Sequence, residues 1–190
     1  MTDSLIAAVH TAHTDLTERL AGATHAAHDH AKRHEIVQKA DAFLMDTCQH
    51  MTAMCDVVLP AARSSLTGEA ASTYLTQVKR VEYAAAQAKR RLYGEAHSAH
   101  LQWDDVWSRL EQEVGALATV EHALIAELAP ILSPSARDRL LARLMASELV
   151  SPTRPHPWSP HLGPFAHVGR LLLARTDRFW DAAEGRIVTT

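Results

Sequence analysis

Apolar positions recur along this chain with the spacing of helices, not the alternation of strands. Leu5, Val9, Ala12, Leu16 and Leu20 fall on one face of a first segment, which Asp3 or Ser4 can cap. A second helix is predicted from about Glu35 to Leu59, with Val37, Ala40, Leu44, Thr47, Met51, Met54 and Val58 inward. Pro60 and the stretch "SSLTGEA" are expected to end it. A third runs from about Ala70 to Tyr93 on Tyr74, Val78, Val81, Ala85, Ala88 and Leu92, with Gly94 as its stop. A fourth starts near "HLQWDDVW" and carries Trp107, Leu110, Val114, Leu117, Leu124 and Leu128 inward. A fifth is marked by Ser133 as cap and Pro134 at the first helical position, followed by "SARDRLLARLMASEL".

After Val150 the character changes. "SPTRPHPWSPHLGP" holds five of the chain's 8 Pro residues and reads as an extended arm. It leads to an amphipathic segment with Phe165, Val168, Leu172 and Phe179 on one face. The pattern therefore predicts an all-α protein, organised as an antiparallel four-helix bundle (1–132), a fifth helix (133–150), and a Pro-rich arm with an amphipathic helix (151–190).

Composition adds limits. With 47% hydrophobic residues and only 7 Gly among 190, the chain can bury a core and global disorder is excluded. A net charge of −3 argues against a nucleic-acid partner, and the basic run around Lys79, Arg80, Lys89, Arg90 and Arg91 spreads around its helix as a solvated face. No segment is long and apolar enough to span a membrane, and the N-terminus lacks the basic and apolar regions of a secretory signal. The expected compartment is the cytoplasm. Cys48 and Cys55 are seven residues apart on one helix, about 10 Å along its axis, which is too far for a disulfide; they read as buried thiols. Nucleophile–base pairs, phosphate loops and CxxC motifs are absent, which leans against an ordinary enzyme.

The 13 His residues are the anomaly. His13 falls within the apolar face of the first helix while His10 points away from it, and His50 flanks the second. Glu82 lies at the edge of the third stripe and Glu121 within the fourth. Groups of this kind inside a bundle either coordinate an ion or bond one another, because an isolated buried charge costs several kcal/mol. "HAAHDHAKRH" includes His30 and His34 at helical spacing, which reads as a solvated loop that takes up Zn or Ni adventitiously. His97 and His100 read as connectors.

The His before "TDLTERL", the H-x4-C-x4-P of "HMTAMCDVVLP", and "EHALIAELAPIL" together resemble the bacterial hemerythrin-like (HHE cation-binding) domains. The tail "SPTRPHPWSPHLGP" with "DRFWDAAEGR" is similar to the extension of their actinobacterial members, and the likeness covers nearly the whole chain. Such domains carry one His on helix one, H-x3-E on helix two, H-x3-H on helix three and H-x4-[DE] on helix four, around two irons. The resemblance implies a ligand pool of His13, His50, Glu82, Glu121, His122 and Glu127. This chain departs from the pattern: Met54 stands where the bridging carboxylate belongs, and "VEYAAAQ" replaces the two His of helix three. A thioether cannot bridge two hard cations. The implied cofactor is accordingly none, or non-haem iron, with manganese or zinc as other options.

The reading that follows is a binding or regulatory protein with a degenerate or lost di-iron site, acting through protein contacts. One alternative is a functional non-haem iron or manganese protein that senses or consumes oxygen, nitric oxide or peroxide. Another is a binder of a small apolar ligand in the bundle cavity. The expected partner is another protein or a second copy. Trp158, Phe165, Leu172, Phe179 and Trp180 would be its contact residues, unless the final helix folds back on the bundle.

Overall fold

The computed structural model describes residues 4–28, 32–94 and 101–154. Among these residues the regular structure is entirely helical. Helix α1 spans Ser4–His28, α2 Arg33–Ala53, α3 Leu59–Ser65, α4 Gly68–Tyr93, α5 Trp103–Leu128 and α6 Pro134–Glu148; a single π turn, Met54–Val58, joins α2 to α3. None of these helices is long and apolar enough to cross a membrane.

Most positions of the stripes read from the sequence are buried, while Ala12 and Val37 are half-buried. Leu5, Val9, Leu16 and Leu20 of α1 join Phe43, Leu44 and Met51 of α2, Tyr74, Val78 and Val81 of α4, and Trp107, Leu110, Leu117 and Leu128 of α5 as buried side chains. Each fully buried side chain of this size contributes about 1.5–3 kcal/mol. α1 packs on α2 and α5, and α4 packs on α5 and α2. α6 lies against α1, α2 and the π turn.

Two helix ends follow from local chemistry. Gly94 closes α4 at φ 76°, its N–H bonding the Arg90 carbonyl, a conformation open to a residue without Cβ. The Ser133 hydroxyl accepts from the Ala136 N–H at 3.3 Å and caps α6, with Pro134 in the first turn as expected.

One expectation holds only in part. The helical path continues through Pro60 and ends at Ser65, inside the expected stop "SSLTGEA". A proline ring clashes with the carbonyl four residues earlier, here that of Asp56, and removes one donor from the ladder. Asp56 lies in the π turn, where the ladder widens and the Leu59 N–H bonds the Met54 carbonyl five residues back. The wider turn absorbs the proline, so the chain bends its hydrogen-bonding pattern instead of stopping.

Candidate metal centre

His13 reaches the interior because it follows Val9 by one helical turn; only 3% of it is exposed. His50 follows Phe43 and Thr47 on one ridge of α2 and is 4% exposed. Glu121 follows Leu117 by one turn on α5 and is fully buried. Three helices thus bring three polar groups to one point. His13 Nε2 lies 2.7 Å, and His50 Nε2 2.9 Å, from the same oxygen, Oε2 of Glu121. The two imidazole rings meet edge to face, their centroids 5.2 Å apart. One ligand atom from each residue falls within 4.8 Å of the others, the only such buried His/Glu trio among the described residues.

A fourth group completes the network. His50 Nδ1 is 2.8 Å from Oε1 of Glu148, at the end of α6. Both nitrogens of His50 therefore face carboxylates. Burial alone would push its pKa down, but the Glu121 charge and the hydrogen bonds to Glu121 and Glu148 outweigh burial and bring it up to about 10. Glu121 shows the mirror case: burial would raise it, and the two histidines hold it down at about 2. The two carboxylates thus favour the protonated form of His50 in the metal-free centre. Two of its atoms, His13 Nδ1 and Glu121 Oε1, have no hydrogen-bond partner.

The surroundings are partly polar. Tyr74 is fully buried, and its hydroxyl lies 3.9 Å from Cys55 Sγ. Burial, and then the neighbouring Cys55 and Glu121, raise its pKa well above the ordinary phenol value. Cys48 and Cys55 are both free and buried, as their spacing implied. On the outer side His122 stacks on His10 at 3.7 Å between centroids and meets the His13 ring edge-on at 5.1 Å. Burial, and then His10 and His13, lower its pKa despite Glu121 nearby.

Of the ligand pool expected from the sequence, His13, His50 and Glu121 come together and the other three do not. His122 is one residue past Glu121, about 100° further round the helix, and stacks on His10 beside the trio. Glu127 is exposed, because six residues past Glu121 is about 240° round α5. Glu82 is buried on α4 but does not join the trio. Met54 is fully buried one turn beyond His50, inside the π turn, and belongs to the apolar core. His10 is exposed as expected, though its stacking on His122 was not foreseen.

Comparisons with protein families, with curated proteins and with solved structures give no match. The geometry of these residues thus carries the functional argument. The residues proposed for partner contact, Trp158, Phe165, Leu172, Phe179 and Trp180, lie outside the described residues, as do His30, His97 and His100.

Glu148 was the residue missed. A signal for it existed: Leu140, Leu144 and Glu148 are spaced four apart, so the carboxylate extends the buried leucine line of α6. Tyr74 was read as inward, but nothing in its own helix marks it as a neighbour of Glu121.

Proposed function

We propose that this chain is a metal-binding protein of hemerythrin-like type, in which an antiparallel four-helix bundle formed by α1, the α2–α3 path, α4 and α5 holds one divalent ion. The observation that carries the reading is the convergence of His13 Nε2, His50 Nε2 and a Glu121 oxygen from three helices, all buried. Two imidazoles and one carboxylate suit iron, manganese or zinc and leave positions open for water or a small diatomic ligand. The donors fit one ion and not two. A second ion would need a bridging carboxylate where Met54 stands and the helix-three histidines that "VEYAAAQ" lacks. Bound iron would supply the chemistry for sensing or consuming oxygen, nitric oxide or peroxide. His13, His50 and Glu121 would hold the ion away from bulk water.

A second reading is a metal-free scaffold that works through protein contacts. It is favoured by the hydrogen bonds of 2.7 and 2.9 Å, which already pair the two histidines with Glu121. Elemental analysis of untagged protein, grown with iron and manganese supplied, separates the two. About one metal per chain, lost in Glu121→Ala, supports the metal protein; no metal above background after reconstitution supports the scaffold.

A further inference from the structure

Glu148 does not belong to the helices that carry His13, His50 and Glu121. It lies at the last residue of α6, a helix that buries only Leu140 and Leu144 among the described residues. Leu141 packs half-buried against the same core, and the short polar link of α6 to the interior is Glu148 Oε1 to His50 Nδ1 at 2.8 Å. That link ends at the centre of the molecule. The Glu148 side chain is 33% exposed, whereas that of His50 is 5% exposed, so the pair spans from surface to interior.

We infer that Glu148 is a positioning residue for the metal centre, and that α6 docking and metal affinity are coupled through it. The inference rests on the single-ion reading above. An imidazole ligates through one nitrogen only when its tautomer leaves that nitrogen's lone pair free. By accepting the Nδ1 proton, Glu148 selects the tautomer whose Nε2 lone pair faces Glu121, fixes the ring plane, and makes Nε2 more basic. Charge supports the assignment. A divalent ion, two neutral imidazoles, Glu121 and Glu148 sum to zero formal charge, whereas without Glu148 the buried centre keeps one uncompensated positive charge.

The coupling runs both ways. If the docked position of Glu148 strengthens metal binding by some factor, bound metal strengthens α6 docking by the same factor. Because three leucines, Leu140, Leu141 and Leu144, make up the apolar hold on α6, its docking equilibrium is where such a bias becomes visible.

The test is titration of the full chain with Co²⁺ against a competing chelator, combined with amide hydrogen exchange along α6. Glu148→Ala is expected to weaken Co²⁺ binding roughly 10–100-fold. Glu148→Gln, which keeps a carbonyl for Nδ1–H but not the charge, should fall between Glu148→Ala and wild type. Co²⁺ should slow exchange in α6 of the wild type and not in Glu148→Ala. Leu144→Ala, which loosens α6 without touching the polar link, should also weaken Co²⁺ binding, and it carries the test if Glu148→Ala does not fold. Wild-type affinity in the Glu148 variants, with exchange in α6 indifferent to Co²⁺, overturns the coupling and leaves the metal centre standing. A wild-type chain that binds no Co²⁺ overturns both.

Discussion

His50 and Glu121 are 71 residues apart in sequence, and in the fold His50 Nε2 lies 2.9 Å from Glu121 Oε2 with neither group open to solvent. A contact of this kind is costly to bury and costly to break, because removing one partner leaves the other charged and unpaired. That asymmetry organises the expected behaviour of variants.

Glu121→Gln should remove bound metal and destabilise the chain together. The expected loss is about 3–5 kcal/mol, the usual cost of breaking a buried pair, read from the urea midpoint. The triple replacement of His13, His50 and Glu121 by leucine should bind no metal and yet recover most of that stability, since an apolar set of similar volume carries no desolvation penalty. A triple variant less stable than Glu121→Gln would contradict this account.

Stability of the metal-free chain should depend on pH through the same pair. His50 is raised from 6.5 to about 10, so its contribution is full below 6.5 and is lost as pH rises through about 10. Glu121 is lowered from 4.5 to about 2, so its contribution is full above 4.5 and is lost as pH falls through about 2. The two overlap fully between 4.5 and 6.5, where the difference between wild type and His50→Met should be greatest. Urea titrations of chelator-treated protein at a series of pH values would show it. A difference independent of pH would mean the pair does not carry these charges.

Met54→Glu places a carboxylate one turn beyond His50, where the proposed hemerythrin-like reading would put a bridging ligand. Met54 is fully buried, so the metal-free variant should lose several kcal/mol. The metal-to-protein ratio should nevertheless stay near one, because α4 carries no His to hold a second ion. A ratio of two on elemental analysis would show that other residues complete a second site.

Ser133→Ala removes the hydroxyl that accepts the Ala136 N–H and should cost about 1 kcal/mol. With α6 thinly anchored, the loss should appear first as faster amide exchange in α6, ahead of global unfolding.

The periodicity of apolar residues was enough to place α1, α4 and α5, because a helix that buries a stripe must repeat it every 3.6 residues whatever it packs against; α6 was placed by its Ser133 cap and Pro134. It also singled out Glu121, since a carboxylate inside a leucine stripe is conspicuous without any partner. The continuation of the second helix through Pro60 was not legible. Whether a proline ends a helix or is absorbed by a widened turn depends on what holds the flanking turns, here Met54 and Val58 packed in the core. The composition of the centre lay equally beyond the sequence. His13, His50, Glu121 and Glu148 stand on four helices, and which of six plausible ligands meet is a matter of how those helices rotate and pack against one another. A rotation of about 100° separates Glu121 from His122. The chain's local order determined which faces would be buried; only the packing of those faces decided which polar groups would share the interior.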